Sequence, residues 1–183
     1  GIQRYQENSN VLETRFDTRD GAFRVIDFAP RFLLHGRIFR PTQLYRMIEP
    51  LEGTPRISVC CSPQLGWSRA EPTRLVGSHH IRYEGYASQV RLTTDLPLSY
   101  LDGRPFSLTG CQRLVLTWGT PIEEPLAPLC ERFLSETSRY WQGWVKHCDV
   151  PPHYQREVIR SALTLKLPSG CSRPRAAEKT TEP

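Results

Sequence analysis

The chain has 183 residues, of which 38% are hydrophobic and 10% aromatic. That is enough for one domain of ordinary size with part of a second, and too apolar for a disordered chain. A net charge of +5 favours a nucleic-acid partner only where basic residues cluster. Here Lys146, Lys166 and Lys179 are the only lysines, and the arginines are dispersed among 19 acids. A solvated mixed-charge surface is expected, with no nucleic-acid partner. No apolar run approaches the ~18 residues of a spanning helix, so no membrane partner is expected either.

The first hundred or so residues alternate short β-prone runs with turn signals. Asn10 to Asp17 and Ala22 to Phe28 flank Thr18-Arg19-Asp20-Gly21, whose glycine suits the positive φ of a hairpin turn. Leu44 to Glu49 and Arg56 to Cys61 flank Leu51-Glu52-Gly53-Thr54 in the same way and predict a second hairpin. Further strands are expected near 79–84, 87–93, 98–101, 105–109 and 111–118. Spacing of about 8–12 residues predicts a mainly β fold, an antiparallel β-sandwich. Prolines at many strand ends agree.

A different period begins at Leu126. Leu126, Leu129, Cys130, Phe133, Leu134, Tyr140, Trp141, Trp144, Val145 and Cys148 recur at three-to-four spacing. The stripe is broken once, at Thr137. This predicts an amphipathic α-helix over 126–148, its tryptophans packed on the sandwich. A second helix is expected over 152–167, with Pro151-Pro152 in its first turn and a stop at Pro168-Ser169-Gly170.

The six cysteines are Cys60, Cys61, Cys111, Cys130, Cys148 and Cys171. They form no C-x-x-C pair and have no histidine at zinc spacing. His79 and His80 fall on opposite faces of a strand. Reduced thiols in a cytoplasmic protein are expected, with no metal and no cofactor.

The helical stretch resembles a known family. Tyr140-Trp141-Gln142-Gly143-Trp144, followed by Tyr154-Gln155-Arg156-Glu157-Val158-Ile159-Arg160-Ser161-Ala162-Leu163-Thr164-Leu165-Lys166-Leu167, is similar to the junction of bacterial glycoside hydrolase family 15 proteins, the glucoamylases and the trehalase-like group. There T-x-x-Y-W-x-x-W closes an amino-terminal β-domain. V-x-R-S-A-L-T-L-K then opens the first helix of an (α/α)6 catalytic barrel. Upstream, Tyr5 to Phe16 resembles the family's Y-x-x-x-T-N-V-L-x-T-x-F strand, with Ser9 in place of Thr. Asp27-Phe28-Ala29-Pro30 resembles its D-F-x-P turn. Arg46 to Gly53 resembles R-x-V-E-G-x-x-G, with Pro50 in place of Gly.

The resemblance implies a β-sandwich over 1–122 with its true start missing. It also implies a linker helix within 123–150 and the first barrel helix within 151–167. The family continues with T-G-A-x-x-A-A-x-T-T-S-x-P-E and a long helical region. Residues 168–183 only echo that pattern, and are expected to be a disordered or aberrant tail of a truncated or frame-disrupted product.

Family 15 enzymes invert configuration, using one carboxylic acid and one carboxylate about 6.5–9.5 Å apart. In the family both are glutamates deep in the barrel, outside the stretch that this chain resembles. Glu123, Glu124, Glu49 and Glu52 read as exposed charges, and Asp27 as a turn residue bonded to its own backbone. Ser161 lies in no G-x-S-x-G elbow. No catalytic residue is nominated.

Two functions fit. One is the non-catalytic amino-terminal part of a family 15 hydrolase acting on α-glucosidic bonds. Its partners would be the missing barrel and, in the parent, trehalose or an α-glucoside. The other is a stand-alone sandwich that binds carbohydrate or protein, with Trp67, Tyr83 and Tyr86 as stacking aromatics. The second helix, deprived of barrel neighbours, is expected to fray or to drive self-association.

Overall fold

A computed structural model describes residues 1–67 and 70–167. The expected tail over 168–183 lies outside the described residues. The protein is mainly β, with two helices at its C-terminal end. Eight strands form one antiparallel sheet: β1 (Ile2–Tyr5), β2 (Leu12–Thr18), β3 (Gly21–Phe28), β6 (Gln43–Gly53), β12 (Gln112–Trp118), β10 (Val90–Thr94), β9 (His80–Glu84) and β8 (Thr73–Val76), in that spatial order. Two small ribbons complete it, β4 (Phe32–Leu34) with β5 (Arg37–Phe39), and β7 (Arg56–Ile57) with β11 (Phe106–Ser107).

Strand alternation gives the sheet a core on each face. Ile26 opposes Met47, Phe28 opposes Tyr45, and Val115 lies across from Tyr45. These residues bury one face against α1 (Leu126–Val145). Phe133 of α1 closes that core, with ring centroids 5.0 Å from Phe32 and 5.5 Å from Tyr45. On the other face Ile48, Ile81, Tyr83, Val90, Leu92 and Leu114 are covered by Ile57, Leu96, Leu101 and Leu108. Each large side chain buried in this way contributes roughly 1.5–3 kcal/mol.

The first expected hairpin is present, with β2 paired to β3 from Leu12–Asp27 to Thr18–Gly21. The second is not. β6 runs on to Gly53 and lies between β3 and β12, while Arg56–Ile57 pairs with Phe106–Ser107. The reason is the use made of Gly53. It sits at φ +62 against the Asp20–Gly21 turn, and a Cβ on either glycine would strike the facing backbone. Thr54 N–H donates to Asp20 O at 2.9 Å. The glycine therefore lets two strand ends meet instead of folding β6 back on β7.

The strand expected at 98–101 is a 3-10 turn, Leu98–Tyr100, following Pro97. α1 ends at Val145, and α2 spans Gln155–Lys166. The Pro151-Pro152 pair lies ahead of α2 and not in its first turn. Tyr154, left-handed at φ 56, is the residue from which the helix starts.

Candidate functional site

The region where α2 meets the sheet brings together residues far apart in sequence. Arg160 donates to Ser9 O at 2.8 Å and to Asn10 Oδ1, and its guanidinium lies 3.8 Å from the Tyr5 ring centroid. Partial burial pulls Arg160 below the ordinary arginine value. Asn10 Nδ2 returns a bond to Leu163 O at 3.0 Å. Ser9 is itself fixed, because its Oγ accepts the Val11 N–H at 3.0 Å. The Ser9-Asn10 pair therefore reads as a local turn whose spare polar groups face the helix.

The C-terminal end of α2 is held from a second point. Arg31, 6% exposed, donates through Nη1 to Lys166 O at 3.0 Å and Leu167 O at 3.1 Å. Its guanidinium carbon lies 5.3 Å from the Trp141 ring and 5.8 Å from the Tyr140 ring, within cation–π range. The Arg31 N–H donates to Thr137 Oγ1 at 3.2 Å. Thr137 is fully buried, so the one polar break in the α1 stripe is the seat of this loop. Trp141, Val145 and Leu163 form the apolar centre of the junction.

Beside it runs a groove of about 910 Å³. Its walls include Arg4, Tyr5, Glu13, Arg156, Arg160 and Leu163. A ladder of alternating charge crosses the sheet next to it: Arg4 to Glu13 at 3.0 Å, Glu13 to Arg24 at 3.6 Å, and Arg24 to Glu49 at 2.7 Å. The ladder pairs Glu13 and Glu49 with arginines across four strands.

Of the acids weighed from the sequence, Asp27, Glu49, Glu52 and Glu124 are paired with arginines. Asp27 takes a two-point bond from Arg46 at 2.7 and 2.9 Å, and is not bonded to its own turn in these contacts. Glu52 pairs with Arg15 at 3.4 Å and Glu124 with Arg132 at 2.8 Å. Asp27 and Glu49 project from opposite faces of the sheet, since Glu49 faces Arg24 and Asp27 faces Arg46. Glu123 is exposed. Among the described residues no group of three or more His, Cys, Asp or Glu is placed to hold a metal ion.

The three aromatics nominated for sugar stacking are not equivalent. Trp67 is fully exposed. Tyr86 is half-buried, and its hydroxyl donates to Gln64 O at 2.9 Å. Tyr83 is a correction. It is 3% exposed within the second core, its hydroxyl donates to Cys61 O at 3.3 Å, and burial pushes its phenol up. Sequence reading missed Arg31 and Arg160 as junction residues. Arg160 was inside the quoted helix motif, and Arg31 directly follows Asp27-Phe28-Ala29-Pro30, but a long-range bond to a carbonyl leaves no periodic signal.

No protein-family model matches the chain, and no solved structure matches it at a significant level. It does resemble curated proteins. The trehalase of Thermoplasma acidophilum is 24% identical over 173 residues, covering 90% of this chain and 29% of the relative. The trehalase of Thermoplasma volcanium is 25% identical over 181 residues, covering 90% and 27%. The chain thus spans less than a third of the length of these relatives. The likeness is weak and supports a glycosidase-like relationship. No helix among the described residues is long and apolar enough to cross a membrane.

Proposed function

We propose that the chain is the non-catalytic amino-terminal part of a family 15 glycoside hydrolase acting on α-glucosidic bonds, of trehalase or glucoamylase type. Its sheet and α1 serve as the base on which α2, the opening helix of the catalytic barrel, is seated. The observation that carries this reading is the meeting of two quoted motifs. Ser9-Asn10 of the first strand motif bonds Arg160 and Leu163 of the helix motif. Relatives named as trehalases over 90% of the chain support the same assignment. The pairing of Asp27, Glu49, Glu52 and Glu124 with arginines supports the non-catalytic reading, because inversion needs one carboxyl left to hold a proton.

The test is an assay of the purified chain on trehalose, maltose and soluble starch. Glucose release at buffer level is expected. Release that survives repurification and tracks the protein peak overturns the reading.

Trp67 favours a second reading, a carbohydrate-binding module. Its indole is fully exposed, and the Tyr86 hydroxyl, donating to Gln64 O, ties the neighbouring 64–67 segment to the β9–β10 connection. Retention of the chain on immobilised maltose or trehalose that is lost in Trp67→Ala supports this reading. Equal elution of both proteins at the void removes it.

A further inference from the structure

We propose that α2 is a separately releasable arm, latched to the sheet by the two arginines Arg31 and Arg160 more than by apolar packing. This stands on the junction geometry and does not depend on the glycosidase reading.

A helix of 12 residues is marginal on its own in water, so tertiary contacts must hold it. The apolar contacts are few. Leu163 is the one fully buried side chain of α2, set against Trp141 and Val145, with Ile159 partly covered. Tyr154 is 79% exposed and Leu165 73%. The polar contacts are numerous and sit at two separate levels of the helix. Arg160, with Asn10, grips the middle, bonding Ser9 O and Asn10 Oδ1 while Asn10 bonds Leu163 O. Arg31 grips the end by taking two terminal carbonyls, those of Lys166 and Leu167.

Two grips set a direction as well as a position. A helix held at one level pivots about it, whereas bonds at residues 160–163 and 166–167 fix its axis. Arg31 also caps carbonyls that have no partner within the helix. Both arginines use charged donors, the stronger class of hydrogen bond, and both lie close to aromatic rings. The segment 146–154, which joins α1 to α2, is mostly exposed and carries Pro151-Pro152. It provides a hinge about which the arm leaves without disturbing α1.

Hydrogen exchange followed peptide by peptide tests the latch on the full chain. In the unmodified protein under low denaturant, amides of 156–166 should open together, before those of α1 and of β3. In Arg31→Met and in Arg160→Met, exchange across 156–166 should rise at least about tenfold, the size expected for losing hydrogen bonds from a charged group. Protection at 129–145 and 22–28 should stay unchanged. The idea is overturned if both variants exchange like the parent across 156–166. It is equally overturned if α2 opens only with the β3 amides in the unmodified protein, or if either substitution unfolds the whole chain.

Discussion

Helices α1 and α2 are neighbours in sequence, and both show amphipathic periodicity, yet they are held differently. α1 buries Leu129, Cys130 and Phe133 against the sheet, and Thr137, Trp141 and Val145 further along toward the Arg31 loop and α2. α2 buries Leu163 alone and takes its position from arginines reaching backbone carbonyls. An apolar stripe reports that a helix has a covered face. How much of that face is covered depends on which partners are present, and sequence periodicity does not report them. α2 is also the helix expected from the sequence to fray or to drive self-association, with its apolar residues exposed. Its exposed residues, Tyr154 and Leu165, are as expected, but the inner face is docked.

The largest effect should come from the residue that both helices share. Trp141 is 1% exposed, packs against Leu163 and lies under Arg31. Trp141→Ala should cost about 3–5 kcal/mol, the range for removing a buried large aromatic. Urea unfolding followed by circular dichroism measures it. A loss under about 1 kcal/mol would mean that α1 is held by the Phe133 cluster alone, and that the helices are less coupled than their contacts indicate.

Much of α1 was readable in advance. Its stripe gave the start, the period and the buried tryptophan, and only the end moved, from 148 to Val145. The β2–β3 hairpin was readable because its turn is local and its partners are adjacent. The partner of β6 was not. Leu51-Glu52-Gly53-Thr54 carries the composition of a turn, but Gly53 is needed where two backbones touch, and nothing local separates those two uses of glycine. Tyr83 shows the same limit. In β9, alternation of His80, Ile81, Arg82 and Tyr83 puts Ile81 and Tyr83 on one face. Which face is covered depends on the segment 96–108 folding over it. At the candidate site, Asn10 and Arg160 stood inside quoted motifs, though their contact spans 150 residues. Arg31 and Thr137 are an ordinary arginine and a flaw in a stripe until the fold brings them together.

That flaw gives a smaller, sharper test. Thr137→Val keeps the shape of the side chain and removes the hydroxyl that accepts the Arg31 N–H. The change leaves a buried donor without its partner, at a cost of about 1–3 kcal/mol. Unlike Trp141→Ala, it acts through the Arg31 loop, so protection of α2 should fall more than that of α1. A stability gain, as expected from making the stripe continuous, would show that the loop bonds elsewhere at little cost and that Thr137 does not seat it.

The smallest perturbation uses native thiols as reporters and leaves the packing alone. Cys130 is fully buried in the α1 core, and burial pushes its thiol up to about 12. Cys60 is exposed. The thiolate is the reactive form, so at pH 8 Cys130 is both shielded and protonated in the folded chain. Its folded value lies above the ~8.5 of an unfolded cysteine. Protons are therefore bound more tightly by the folded state, and the stability this group contributes is fully present below ~8.5 and declines as pH rises toward 12. Labelling with a thiol reagent at pH 8 should modify Cys60 from the native state. Cys130 should react only as fast as α1 opens, and Arg160→Met should leave that rate unchanged while α2 exchange accelerates. If Cys130 labelling speeds up together with α2 exchange, release of the arm loosens α1 as well. The two helices then form one cooperative unit, and the distinction between a packed helix and a latched one fails at its packed end.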